Sequence, residues 1–305
     1  MGRPIERRYR PYPEVSLPLN WVHPIAEDRP IEATRSLAPA ALELTGERTA
    51  PGIASENYWF RRHQVAYLHL REQVEGPRLL EVGAGEGYGS ALLAERVPAV
   101  LALDYDPAAI AHLLRRYPAL AAIRGNLAAL PVAGDSIDSV VSLQVIEHVW
   151  DHPQFLAECA RVLRPSGLLV LSTPNRLTFS PGTDRPVNPF HTHEFTAAEL
   201  CRLVAGNGLP VVSVRGLFAG PRLAELDRRY AERGGFVAAQ LAEPPEHWPA
   251  ELAADVAEVS WQDFRIGPDL LDGSKDLSSL NGLSDVTDFS GLDDSLDLLV
   301  LARRP

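Results

Sequence analysis

Cysteine is scarce in this chain. Cys159 and Cys201 are the only two in 305 residues and sit in unrelated contexts, which argues against a disulfide framework and against a cysteine zinc site. Lysine is scarcer still: Lys275 stands alone among 29 basic residues, a compositional bias toward arginine with no chemistry attached. No stretch approaches the roughly 18–20 uninterrupted apolar residues of a membrane span. The N-terminus, with Arg3, Glu6, Arg7, Arg8 and Arg10, has no signal-peptide apolar segment, so a cytoplasmic protein without a membrane span is expected. Positive charge is also in deficit. A formal net charge of −11 and a pI near 5.3 argue against nucleic acid as a partner. With 46% hydrophobic residues the chain has enough apolar material for a sizeable core, and an enzyme acting on a small or neutral substrate is the expected class.

Three zones separate by composition. Residues 1–54 are interrupted by Pro4, Pro11, Pro13, Pro18, Pro24 and Pro30 and read as an irregular Pro/Arg-rich arm. Residues 55–305 form the main domain. There Tyr58, His63, Val65, Ala66 and Leu70 predict a helix over Ser55–Val74, with Ser55 as N-cap and Gly76-Pro77 as its stop. Strands are expected at Arg78–Val82, Ala99–Asp104, Ala119–Arg124, Ile137–Leu143, Gly167–Thr173, Pro210–Gly216 and Leu296–Ala302. Asp106-Pro107 opens one intervening helix, Pro153–Leu163 forms another, and the Thr196-x-x-Glu199 capping box opens a third. Strands alternating with such helices predict parallel βαβ units in an α/β sheet. The third zone, residues 217–295, breaks this rhythm. Pro221–Leu241 reads as helix interrupted at Gly234-Gly235, and Asp263–Asp297, with nine aspartates and no glutamate, reads as a loop-rich insertion.

The first expected strand runs into Glu81-Val-Gly83-Ala-Gly85-Glu-Gly87. Glycines there permit a tight turn and let backbone N–H groups approach a ligand at a helix N-terminus. A nicotinamide-dinucleotide fingerprint would need glycine at position 88, which is tyrosine. Asp104, ending the second strand, can accept hydrogen bonds from both hydroxyls of a ribose. Gly125-Asn126-Leu127 follows the third strand, and Asp135-Ser-Ile-Asp138 leads into the fourth, which ends at Gln144-Val-Ile-Glu147-His148.

In this order and spacing these stretches resemble class I S-adenosylmethionine (SAM)-dependent methyltransferases. The resemblance implies a Rossmann-like seven-stranded sheet whose last strand inserts antiparallel beside the fifth. It implies SAM as cofactor, held by Glu81, Gly83, Gly85, Gly87, Asp104, Tyr105, Asn126, Leu127 and Gln144. The sixth and seventh strands are usually joined by a short turn in that fold. The long insertion here suggests a lid, an acceptor-recognition element or a subunit contact, the last implying a homo-oligomer.

His148, just past the fourth strand, is the candidate general base, because neutral imidazole suits proton abstraction near neutral pH. The alternative is a histidine that only packs or caps the next helix. Glu147 would orient the imidazole or touch the methionine moiety. Tyr58, Asn175, Arg176, His191 and His193 are candidate acceptor-binding residues; the last four lie beyond the fifth strand, where open α/β sheets bind ligands. For His191 and His193 a backbone-anchoring role stays open. A divalent cation such as Mg2+ also stays open, with His191-x-His193, Glu194 or aspartates of the insertion as ligands.

A narrower likeness rests on Leu44–Arg48, Glu56–Gln64, Gln144–His148, Ser172–Arg176, Asn188–His191, Gly220–Arg222 and Asp294–Leu298. Together these are similar to mycobacterial-type sugar methyltransferases that cap 3-O-methylmannose polysaccharides by 1-O-methylation at the reducing end. The chain departs from them in its Pro-rich N-terminus and around Gly273–Gly291. The likeness implies an O-methyltransferase with a mannoside or other hydroxylated acceptor. The competing expectations are a quinone or secondary-metabolite O-methyltransferase of the same fold, and a SAM-binding protein without turnover.

Overall fold

The computed structural model describes residues 48–183, 185–271 and 288–305. The expected arm therefore lies mostly outside the described residues, as does the centre of the aspartate-rich stretch with Lys275. Helix α1 (Asn57–Leu70) precedes a βα alternation: β1 (Arg78–Val82), α2 (Tyr88–Ala94), β2 (Ala99–Asp104), α3 (Pro107–Arg116), β3 (Ala121–Arg124), β4 (Ile137–Leu143), α4 (His152–Val162) and β5 (Leu163–Pro174). Then come α5 (Arg176–Phe179), α6 (Ala197–Gly206) and β6 (Val211–Ala219), followed by α7 (Pro221–Arg229), α8 (Phe236–Leu241), α9 (Ala250–Glu258), β7 (Phe264–Ile266) and β8 (Asp297–Arg303).

The sheet order is β3-β2-β1-β4-β5-β8-β6-β7. Strands β1 to β5 pair in parallel, and β8 runs antiparallel between β5 and β6. The seven expected strands are all present in this Rossmann-like α/β sheet. An eighth, β7, pairs antiparallel with the end of β6 and draws that strand out to Ala219. Every residue of β4 is buried, as a strand covered by helices on both faces should be. Two apolar layers flank the sheet. One centres on Phe155, Leu156, Leu200 and Leu169; the other joins α1 to the insertion through Tyr58, Leu226, Phe236, Leu252 and Phe264.

Two caps form as expected. Asp106 accepts from Ala108 N at 2.8 Å, and Thr196 and Glu199 complete a capping box. Ser55 does not cap α1. It lies inside a 3-10 turn, Ala54–Glu56, so Glu56 takes the N-cap position with no side-chain cap. Helix α1 also ends at Leu70, short of Val74, because residues 71–73 fold into a turn.

Candidate active site

The strand order reverses between β1 and β4, and the carboxyl ends of β1, β2 and β4 open there onto a cavity of about 940 Å3. Its floor is the turn after β1. Gly83, Gly85 and Gly87 all have positive φ, at +82°, +54° and +99°. A Cβ on Gly83 would meet Val145 Cγ2 at 2.4 Å, whereas one on Gly85 would meet nothing within 4 Å and would occupy the cavity's own space. The turn thus keeps bare backbone facing the cavity. Asp104 Oδ2 accepts from Gly85 N at 2.8 Å and Oδ1 from Asp106 N at 2.9 Å, which fixes its carboxylate at the cavity wall. Tyr105, Asn126, Leu127 and Gln144 complete the wall. Gln144 has φ +57°, and its amide donates to Ser172 Oγ and Asp297 Oδ1, both at 3.2 Å.

Two expected members of this set sit behind the cavity. Glu81 is fully buried beneath the turn, where Tyr67 donates its hydroxyl at 2.6 Å and Ser90 donates as well; burial pushes its carboxyl up to about 7. Gly87 caps α2 and packs on Leu113, so it shapes the turn without lining the cavity.

A second cavity, of about 490 Å3, adjoins the first. The two share Arg48, Thr49, Arg62, His63, Gln144 and His148, and this shared wall places His148 at their junction. His148 Nδ1 lies 3.1 Å from the Phe190 carbonyl, which can only accept, so Nδ1 carries the proton and Nε2 the lone pair of the neutral ring. The loop bearing Phe190 is stapled down by Thr192, whose N donates to the Glu147 carbonyl at 2.7 Å and whose Oγ1 donates to the Val149 carbonyl at 2.6 Å. His191 stands edge-on to His148, with centroids 4.9 Å apart. Its Nδ1 donates to Glu194 at 2.8 Å and its Nε2 accepts from Asn188 at 3.0 Å. Glu147 is buried, accepts from Thr173 Oγ1 at 2.9 Å and is pushed up to about 8 by burial.

Four expected acceptor residues lie elsewhere. Tyr58 faces the core between Phe236 and Phe264, with centroids 5.8 and 5.6 Å away. Asn175 is 1% exposed and ties down the chain entering β8 through the carbonyls of Leu292 and Ser295. Arg176 pairs with Glu199 at 3.1 Å, joining α5 to α6. His193 packs on Phe195 at 4.5 Å in a separate recess with Trp150 and His152. None of the four lines either cavity.

Within the Glu56–Gln64 stretch the sequence pointed to Tyr58, whereas a different face of α1 lines the second cavity. Glu56, Trp59 and His63 recur at i, i+3 and i+7, a helical spacing that could have singled them out in place of Tyr58. His63, enclosed between both cavities with Nδ1 3.3 Å from the Tyr88 hydroxyl, is lowered to about 4 by burial. Arg62 makes a bidentate pair with Asp297, both contacts at 2.7 Å, and donates to the Leu296 carbonyl at 2.6 Å. Its charge is thereby held by the protein.

His191 and His193, left open as metal ligands by the sequence, line different cavities and do not converge on one ion. Glu147, His148 and His191 do each place a ligand atom within 4.8 Å of the others. Two imidazoles and one carboxylate are a poor match to the oxygen-rich octahedral shell of Mg2+.

Residues 80–171, which carry the glycine turn and lead to the end of β5, match the methyltransferase domain family. Two relatives carry the name probable S-adenosylmethionine-dependent methyltransferase. That of Mycolicibacterium smegmatis is 48% identical over 88% of this chain and 97% of its own; that of Mycobacterium tuberculosis is 47% identical over 93% and 96%. The solved structure of a SAM-dependent methyltransferase from Thermotoga maritima superposes with a TM-score of 0.52 at 15% identity, covering 81% of this chain and 93% of that one, a likeness of fold alone. With identity of this extent to full-length relatives, and with a glycine-floored cavity at the switch point of a matching sheet, the chain belongs to the S-adenosylmethionine-dependent methyltransferases.

Proposed function

We propose that this protein is a SAM-dependent O-methyltransferase that methylates a sugar hydroxyl, the reducing-end 1-OH of a 3-O-methylmannoside in methylmannose polysaccharide biosynthesis. The observation that carries the reading is the position of His148, in the wall shared by the larger cavity and the smaller one. The sugar follows from the likeness of the 44–64, 144–148, 172–176 and 188–191 segments to sugar methyltransferases. The smaller cavity is consistent with it: Arg48, Asn188 and His191 supply polar groups beside the rings of Phe179 and Phe190.

SAM, when bound, supplies an electrophilic methyl group on a sulfonium. In the larger cavity the backbone of Gly83 and Gly85 would hold it, Asp104 would accept from its ribose hydroxyls, and Tyr105, Asn126 and Leu127 would border its base. Gln144 and His148 border the end that reaches the smaller cavity. His148 Nε2 would take the acceptor's hydroxyl proton, leaving that oxygen to accept the methyl group that SAM would supply from its sulfonium. The Phe190 carbonyl holds the proton on Nδ1 and so keeps the basic nitrogen on Nε2. Glu147, pushed up to about 8, keeps its proton at neutral pH and orients the turn through Thr173. His63, held near 4, is too weak a base to compete.

Incubation with methyl-labelled SAM and short 3-O-methylmannosides, followed by location of the label, tests the reading. Label is expected on the anomeric oxygen of the reducing ring. The sugar reading falls if every mannoside stays unlabelled while a phenolic or quinol acceptor is methylated, the outcome to which the exposed Val187, Phe190 and Leu241 at the mouth would then contribute.

A further inference from the structure

The smaller cavity does not end at the residues the proposed reaction uses. Beside it lies a recess of about 370 Å3, and the two share Glu56, Trp59 and Leu241. On its far side the recess is walled by Pro245 and Trp248. None of the three shared residues lines the larger cavity, so none is available to the cofactor.

Glu56 is half-buried, and its carboxyl makes no hydrogen bond or ion pair among the described residues. Leaving a partly desolvated carboxyl without a partner costs free energy that a bound hydroxyl would recover. Trp59, one turn further along α1, meets Tyr58 and Phe179 edge-on at 5.1 and 6.5 Å, with the Arg62 guanidinium 5.5 Å from its ring. Leu241, 65% exposed at the end of α8, forms the shared rim. A ring with an apolar face and polar edges fits this combination: its C–H face lies on indole and leucine while its hydroxyls reach the carboxyl.

We infer that Glu56 and Trp59 form an acceptor subsite that holds a second, neutral sugar ring next to the one that is methylated. The inference rests on the sugar reading of the acceptor. It makes these two residues determinants of the preference for a two-ring over a one-ring mannoside.

The test compares kcat/KM for 3-O-methylmannose and for the corresponding two-ring mannoside in the wild type, Glu56→Gln and Trp59→Leu. Wild type should prefer the two-ring acceptor by about tenfold or more, and each variant should reduce that ratio at least about fivefold, chiefly through KM for the two-ring acceptor. Calorimetric affinity for SAM should stay within about twofold and shows that the variants are folded. An unchanged ratio in the chemically mild Glu56→Gln and in a SAM-binding Trp59→Leu overturns the subsite while leaving sugar methylation intact. A wild type that labels neither mannoside overturns the sugar reading and the subsite with it.

Discussion

At the scale of single residues, the glycine turn and its carboxylates separate into two jobs. Asp104 faces the larger cavity, with its orientation set by Gly85 N and Asp106 N. Asp104→Ala should therefore weaken SAM binding at least about tenfold by calorimetry, the loss expected for two hydrogen bonds to a carboxylate. Unchanged affinity would remove Asp104 from the cofactor site. Glu81 instead supports the turn from below. The unfolded chain gives up this proton near 4.5 while the folded protein keeps it to about 7, so the unfolded state gains on the folded one as pH rises through that window. Glu81 thus contributes stability at pH 4.5 and below that is lost by about pH 7, on the order of 3 kcal/mol. Thermal unfolding between pH 5 and 8 should show Tm falling less in Glu81→Gln than in wild type. Equal slopes would mean that Glu81 ionises normally. The glycine motif was legible because it needs backbone conformations few residues adopt. The inward turn of Glu81 was not, because its partners Tyr67 and Ser90 come from two different helices.

Among elements, α1 and β8 are joined through a buried ion pair. Arg62 is 4% exposed and Asp297 1%, with Gln144 also donating to the aspartate. Arg62→Ala should cost about 3–5 kcal/mol in urea unfolding, because it strands a buried carboxylate. The double variant Arg62→Met with Asp297→Leu should lose clearly less, and equal losses would show that packing, not charge, is what matters there. This pair spans more than 200 positions of the chain, and no local pattern announces it. The existence of α1 was readable from its apolar spacing, but the aromatic cluster Tyr58-Trp59-Phe60 hides which residue faces out. Only the packing of Phe236 and Phe264 against Tyr58 decides that. The directions of Asn175, Arg176 and His193 were not legible either, because the sequence between β5 and α6 carries no period from which side-chain direction can be read.

For the molecule as a whole, the alternating apolar strands made the seven main strands readable, including the terminal one that enters between β5 and β6. Strand β7 escaped notice because three residues carry too little alternation to register, and the helices of the insertion became placeable only by their shared core with α1. That shared core is what brings the second cavity against the first. The sheet supplies one cavity and the α1–insertion layer much of the other, and His148 stands where they meet. The most direct test of this account is the steady-state turnover of His148→Ala together with its affinity for SAM. The account predicts kcat at least ~100-fold below wild type with SAM affinity changed by no more than about twofold. Near-normal turnover in a folded, SAM-binding His148→Ala protein would contradict it.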